Sequence, residues 1–241
     1  MDGSWHVAVL IPARDEEKLL PRCLRSVLIA VGLLPDHVRS NIVVVSDSSS
    51  DRTGQVATAL LGSRGCVVSV QARNVGSARR LAADYALGHR QGPLGRAWLA
   101  NTDADSIVPS SWLCDQLKLA DEGVEAIAGT VSVDGFEEHD PEVAERFRAS
   151  YIIGSDGTHP HIHGANPGVR ADAYLRAGGW SDLVTAEDHD LWGRLSRHSN
   201  RMASIASIQV TTSGRRMGRA PHGFAGALAA HNARSKVKMS A

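Results

Sequence analysis

Net charge, paired cysteines and long apolar runs are all missing from this chain, and each lack removes a class of function. Lysine and arginine balance aspartate and glutamate at 26 each over 241 residues, so the formal charge is zero. Without a global basic field, neither nucleic acid nor an anionic membrane surface is an expected partner. There are three cysteines, Cys23, Cys66 and Cys114, at no metal-ligand spacing. Their odd number argues against a disulfide scaffold and suits a reducing, cytoplasmic location. The longest apolar run, residues 27–34, is far short of the ~20 residues a membrane span needs. The opening residues lack the charged-then-apolar order of a signal peptide. Glycine is absent where a dinucleotide fold needs it, in the loop Pro12-Ala-Arg-Asp-Glu-Glu17, and no Gly-Lys-Ser/Thr occurs anywhere. A Rossmann dehydrogenase and a P-loop NTPase are therefore both excluded.

What is present reads as an α/β protein. Hydrophobic residues make up 43% and charged residues 22%, ordinary proportions for a chain that buries a full core. Short apolar runs at 6–11, 42–45, 66–70, 97–100 and 125–133 read as strands, the first halted by Pro12. Between them, segments at 16–31, 51–61, 76–89 and 111–121 carry helical spacing. Strands without polar alternation, separated by helices, predict a mostly parallel sheet covered on both faces. Beyond residue 134 the expectation is a helix at 141–151, a Gly/His/Pro loop, a helix from about His189, a strand at 205–211 and a last helix. No linker composition divides the chain, so residues 1–241 are read as one domain. Its first half, about 1–133, and its second, about 134–241, serve different functions.

Ligands of an open parallel sheet bind beyond the carboxyl ends of its strands, so the residues there decide the chemistry. After the second strand stand Asp47 and Asp51. Asp47, one residue past the strand, can accept from a base imino group or a ribose hydroxyl; Asp51 suits a helix cap. After the fourth strand, Asp103-Ala104-Asp105 sets two carboxylates where the chain turns out of the sheet. Such hard oxygens suit Mg²⁺ or Mn²⁺ with positions open for substrate phosphates, although aspartates are also common in turns.

These elements occur in a telling order: residues 9–17, residues 43–53, Gly76-Ser-Ala-Arg79, Asp103-Ala-Asp105, Gly164-Ala165-Asn166, Gly178-Gly-Trp180 and Glu187-Asp188-His-Asp190-Leu191. Together they resemble a family-2 glycosyltransferase of the GT-A fold, over about residues 6–195. The resemblance implies a nucleotide-sugar donor, usually a UDP-sugar, and a divalent metal, Mg²⁺ or Mn²⁺. It implies that Pro12, Ala13, Arg14 and Glu16, with Asp47, hold the nucleotide base, and that Arg79 lies beside the nucleotide. Asp103 would face ribose or metal next to Ala104, Asp105 would be the direct metal ligand, and Gly164-Ala165-Asn166 would border the donor sugar and acceptor. Where the family more often has Asp-Asp-Gly-Ser after the second strand, this chain has Ser46-Asp47-Ser48-Ser49, which keeps only the second carboxylate.

The resemblance also implies a general base near the start of the helix at 187. Asp188 matches it, ahead of Glu187 or Asp190, and like-charged neighbours would raise its pKa. The alternative for these acids is to stabilise the helix N-terminus alone. His159, His161 and His163 alternate in sequence, so an extended segment puts them on one side. A metal-dependent hydrolase is the sharp reading of that cluster; polar substrate contact, with His163 at the acceptor, or no role at all, is favoured over it. Trp180 could stack on a sugar face or be buried, and Asp190 could meet the acceptor. Arg215, Arg216 and Arg219, on a glycine-bearing loop, could clamp a diphosphate or be solvated. His222 is the nearest candidate to complete the metal sphere. The expected acceptor is soluble or small, because no membrane helices follow the catalytic region. A nucleotidyltransferase and a non-catalytic nucleotide-sugar binder remain the alternatives.

Overall fold

The first strand can be apolar along nearly its whole length because both of its faces are covered. In the computed structural model, which describes residues 4–220 and 223–233, β1 (His6–Ala13) lies inside a seven-stranded sheet. It is followed by α1 (Leu20–Gly32), β2 (Arg39–Asp47), α2 (Thr53–Leu61), β3 (Gly65–Val70) and α3 (Val75–His89). Then come β4 (Ala97–Asn101), α4 (Trp112–Asp121), β5 (Ala126–Val133), α5 (Val143–Ser150), β6 (Pro167–Arg170) and α6 (Ala171–Arg176). The chain continues through α7 (Glu187–His198), β7 (Met202–Thr212) and α8 (Phe224–Ala233). The strand order is β3-β2-β1-β4-β6-β5-β7. Every neighbouring pair is parallel except those of β6, which runs antiparallel to β4 and β5.

The period of two along each strand divides the core. Val7, Val9, Ile11, Ile42, Val44 and Trp98 pack with Leu20, Leu24 and Val27 of α1 and with Leu113 of α4. Ala8, Leu10, Val43, Val45 and Leu99 point the other way, onto Ala78, Ala82 and Ala86 of α3 and Leu191 and Leu195 of α7. Gly76 starts α3 with its N–H on the Leu183 carbonyl, 3.0 Å away, and a Cβ there would overlap the Ser181 carbonyl. The glycine is thus what lets α3 meet the 181–183 segment.

Several expectations need correction. Pro12 does not halt β1: it sits opposite Val45, past the last β1–β4 partner Leu10, where only one side of the strand is paired. A missing N–H costs little there. Helix α1 begins at Leu20 rather than 16 because residues 15–17 bind the loop after β2 instead. Glu16 N–H donates to Thr53 Oγ1 at 2.7 Å and Glu17 N–H to Asp51 Oδ2 at 3.0 Å. Strand β6 and helix α6 lie where the sequence suggests only a loop, and β7 is longer than expected. Helix α7 starts at Glu187, two residues before His189.

Candidate active site

The loops leaving β1, β2 and β4 meet at the carboxyl edge of the sheet, where the 213–220 segment after β7 joins them. Together with α3, α7 and the start of α8 they surround a cavity of about 820 Å³. Asp15 and Ser48 both take left-handed backbone conformations (φ 51° and 54°). The strain is held by cross-loop bonds, Asp15 N–H to Ser49 Oγ at 3.2 Å and Ser50 N–H to Asp15 Oδ1 at 2.7 Å.

Asp47 organises the next rim. Its Oδ1 accepts the N–H groups of Ala72 and Arg73, both at 2.8 Å, and the Ser48 hydroxyl at 2.9 Å. Among the described residues its Oδ2 accepts only Asn74 N–H, at 2.8 Å. Burial pushes this carboxyl's pKa up, but the backbone donors outweigh it and hold the group below the usual carboxylate range. Asp51 binds Thr53 N–H at 2.9 Å and the Thr53 hydroxyl, so it serves the start of α2, as its position suggests.

Arg79 is the hub of the floor. It is 1% exposed, donates from Nη2 to Asp103 Oδ1 at 2.6 Å and from Nε to Glu187 Oε1 at 3.1 Å. Burial opposes its charge, but Asp103 and Glu187 more than restore it. Burial raises the pKa of Glu187, with Arg79 pulling against it. A Cβ on Gly164 would stand 2.5 Å from Arg79 Nη2, so a side chain here would have to push the guanidinium aside. A second guanidinium closes the other side. Arg215 bridges Glu16 Oε1 at 2.6 Å and Asp105 Oδ2 at 2.8 Å, and Arg219 donates to the Asp15 carbonyl at 2.7 Å. Burial raises the pKa of Asp105; Arg215 opposes this and Asp103 adds to it. Glu16 is likewise raised by burial and lowered by Arg215.

Asp188 stands on the cavity wall at the mouth of α7, its Oδ2 accepting Gly164 N–H at 2.7 Å and its Oδ1 accepting His189 N–H at 2.8 Å. Acids from β4 and α7 thus reach one cavity through a shared arginine. The sequence profile of glycosyl transferase family 2 matches residues 8–175. The chain belongs to this family. It has the α/β architecture the sequence motifs imply. Its fold is similar to that of S. aureus TarS 1–349, with a TM-score of 0.65 at 16% identity over 87% of this chain. The same protein in complex with UDP-GlcNAc gives a TM-score of 0.66 at 17% identity, over 89% of this chain and 60% of that one. A structure of S. aureus TarS matches over 86% of this chain and 36% of its own, with a TM-score of 0.64 at 16% identity. The chain therefore spans about 60% or less of the structures it resembles. No curated protein matches it.

Within this cavity the structure brings together Pro12, Ala13, Arg14, Glu16 and Asp47 from the first two strand ends. Arg79, Asp103, Ala104 and Asp105 form its floor; His163, Gly164, Ala165, Glu187, Asp188 and Arg215 complete it. Four expected contacts are not there. Trp180 is 1% exposed, packed in the core beneath Arg79, whose guanidinium carbon lies 5.3 Å from its ring, so no sugar can stack on it. Asn166 is spent inside the fold: its amide donates to the Thr130 and Ile208 carbonyls at 2.9 Å and accepts from Trp112 Nε1 at 2.8 Å. Asp190 pairs with Arg194 at 2.7 Å and Ser181 at 2.6 Å, away from the cavity. Arg216 is exposed and does not line it. His222 lies outside the described residues. Arg73, Asn74 and Phe224 line the cavity without having been expected there. Asn74 does carry a cap signal, accepting Ser77 N–H at 3.1 Å, which marks residues 73–75 as a strand-end loop.

The three histidines do share one side, with rings about 6 Å apart (5.9 and 6.0 Å). Each Nε2 is taken separately: His159 by the Ala128 carbonyl, His161 by Ile152 and His163 by Tyr151 Oη. Among the described residues no group of three or more His, Cys, Asp or Glu could hold a metal ion. Asp103 and Asp105 do fit the sparser mode in which one or two carboxylates and substrate phosphates share Mg²⁺. Asp105 is buried beside Asp103, and the cation Arg215 offsets its charge here. Among the described residues no helix is long and apolar enough to cross a membrane.

Proposed function

We propose that this chain moves a sugar from a UDP-sugar to a hydroxyl of a small acceptor, with inversion at the anomeric carbon. The observation that carries the reading is the convergence of Asp103-Ala-Asp105 and Glu187-Asp188 on one cavity through Arg79. Two chemically distinct tasks, charge neutralisation and proton removal, thereby stand side by side.

On the donor side, Asp47 Oδ2 keeps a lone pair beside its single N–H donor and accepts from the base. Arg14 and Arg73 also line the cavity, without an ion-pair partner among the described residues, and their guanidinium groups can meet the nucleotide. Asp103 and Asp105 would hold Mg²⁺ or Mn²⁺, which when bound would supply the positive charge a departing diphosphate needs. Arg215, paired with Asp105 at 2.8 Å, has the fork geometry to bind the diphosphate itself. On the acceptor side, Asp188 takes the hydroxyl proton as the acceptor oxygen bonds to the anomeric carbon and the bond to the diphosphate oxygen breaks. Two N–H bonds orient its carboxylate, and each oxygen retains a lone pair for the proton. Glu187, buried against Arg79, positions the floor rather than taking the proton. The three free cysteines fit a cytoplasmic location.

The test is calorimetric titration of UDP and a panel of UDP-sugars, with and without Mn²⁺. Saturable, Mn²⁺-enhanced binding that is lost in Asp105→Asn is the expected result. Binding of no nucleotide, or Mn²⁺ enhancement retained in Asp105→Asn, overturns the reading.

A further inference from the structure

The cavity has two unlike walls. The strand-end wall is charged and paired, through Glu16, Arg79, Asp103, Asp105 and Arg215. The other, formed by Val131, Ile162, His163, Phe224, Ala225 and Ala227, carries a single titratable group.

That group is neutral. Val131 N–H donates to Tyr151 Oη at 2.9 Å, and that hydroxyl lies 2.9 Å from His163 Nε2, where its hydrogen can be accepted. In the tautomer that accepts at Nε2 the ring proton sits on Nδ1, which has no hydrogen-bond partner among the described residues. Burial, with His161 and His159 nearby, pushes the His163 pKa down to about 3, so the ring is uncharged at neutral pH. Half-buried Phe224 stands edge-on to it, with centroids 5.8 Å apart and planes at 82°. The pair makes an aromatic corner with one N–H donor.

The corner adjoins the base. Gly164, the residue after His163, is the one whose N–H holds Asp188 Oδ2. A free sugar presents a hydroxyl on nearly every carbon, and with one N–H donor on this wall most of them lose water without gaining a partner. A flat apolar ring loses nothing there and stacks on the aromatic edges. We propose that this corner is the acceptor subsite and that it takes an aromatic alcohol, the ring against Phe224 and His163 and the hydroxyl at Asp188. His163 Nδ1–H then donates to an oxygen substituent of the ring. The inference rests on the glycosyl-transfer reading above and names its acceptor class.

The probe is 4-methylumbelliferone, a planar ring system with one hydroxyl, followed by saturation-transfer NMR with and without UDP and Mn²⁺. Methyl α-glucoside serves as the sugar contrast. The wild type is compared with Phe224→Ser and with Ala227→Glu, the latter at an exposed helical position that tolerates a charge without loss of fold. Saturable binding of methylumbelliferone, weakened ~10-fold in both variants while UDP affinity stays the same, is expected. Methyl α-glucoside is expected to show no transfer. Binding of the glucoside in preference, equal methylumbelliferone binding in all three proteins, or no binding of either compound overturns the subsite. A protein that takes methylumbelliferone in this pattern but no UDP keeps the subsite and overturns the glycosyl-transfer reading instead.

Discussion

The strand-end loops are held by charge, and the segment from Tyr151 to His163 by stacked neutral rings. In the first region Arg79 and Arg215 each tie two carboxylates, across elements far apart in sequence. In the second, Tyr151 lies 4.0 Å from His161 and 5.8 Å from His163, nearly parallel to both, and Phe224 closes the row. The difference teaches how one cavity can receive two unlike substrates. An ion lattice can trade partners with a charged ligand, whereas an apolar wall excludes charge and hydroxyls alike.

The largest expected effect breaks the comparison at its border, where Asp188 touches both regions. Asp188→Asn keeps an oxygen for Gly164 N–H but no base, and kcat is expected to fall ~10²–10⁴-fold with UDP affinity and Tm nearly unchanged. Near-normal turnover would move the base elsewhere, and a dead Asp190→Asn beside it would move it two residues on. Next comes the hub of the charged region. Arg79→Met leaves Glu187 buried without its cation, and a loss of about 3–5 kcal/mol in denaturant unfolding is expected. A loss below 1 kcal/mol would mean that the lattice is not what holds this floor.

Smaller effects sharpen the comparison. Removing Arg215 leaves Glu16 and Asp105 facing each other, so Arg215→Met is expected to bind Mn²⁺ about fivefold tighter in the absence of nucleotide. Unchanged affinity, read by electron paramagnetic resonance of free Mn²⁺, would mean that guanidinium and metal do not compete. The smallest effect is a pH dependence. Backbone donors hold the Asp47 carboxyl below its ordinary value, so its contribution to stability is complete above the unfolded value of about 4 and lost as pH falls through the lower folded one. Asp47→Asn lacks that contribution at every pH. The two proteins should therefore differ most in Tm near neutrality and converge below about pH 4. A constant difference across the range would assign Asp47 a role that does not depend on its charge.

Much of the strand-end wall was legible, because a strand that ends in a carboxylate announces itself. Residues 42–47 run apolar into Asp47 and residues 97–105 run apolar into the Asp-x-Asp, and both acids came out at the carboxyl edge. The second half of the chain was less legible. Strand β6 spans only four residues, Pro167–Arg170, and pairs antiparallel with strands about 40 and 70 positions away, so no local period marks it. Trp180 suits either a sugar face or the core, Asn166 is expected near the donor sugar only through the resemblance, and Asp190 is expected at the acceptor. Each is consumed by a partner that the sequence does not bring near: Arg79, Trp112 or the Ser181–Arg194 pair.

The sequence by itself determined the alternation of strand and helix, the covered parallel sheet and the acids at its strand ends. Hydrophobic period and chain reversal are local properties that neighbouring residues carry between them. Tertiary structure alone decided which of those acids share a cation, which polar side chains are spent on the fold, and that one wall of the cavity is neutral. Those outcomes depend on contacts such as Arg215 to Glu16, 199 residues apart, and on the burial that makes an ion pair or a bare histidine matter.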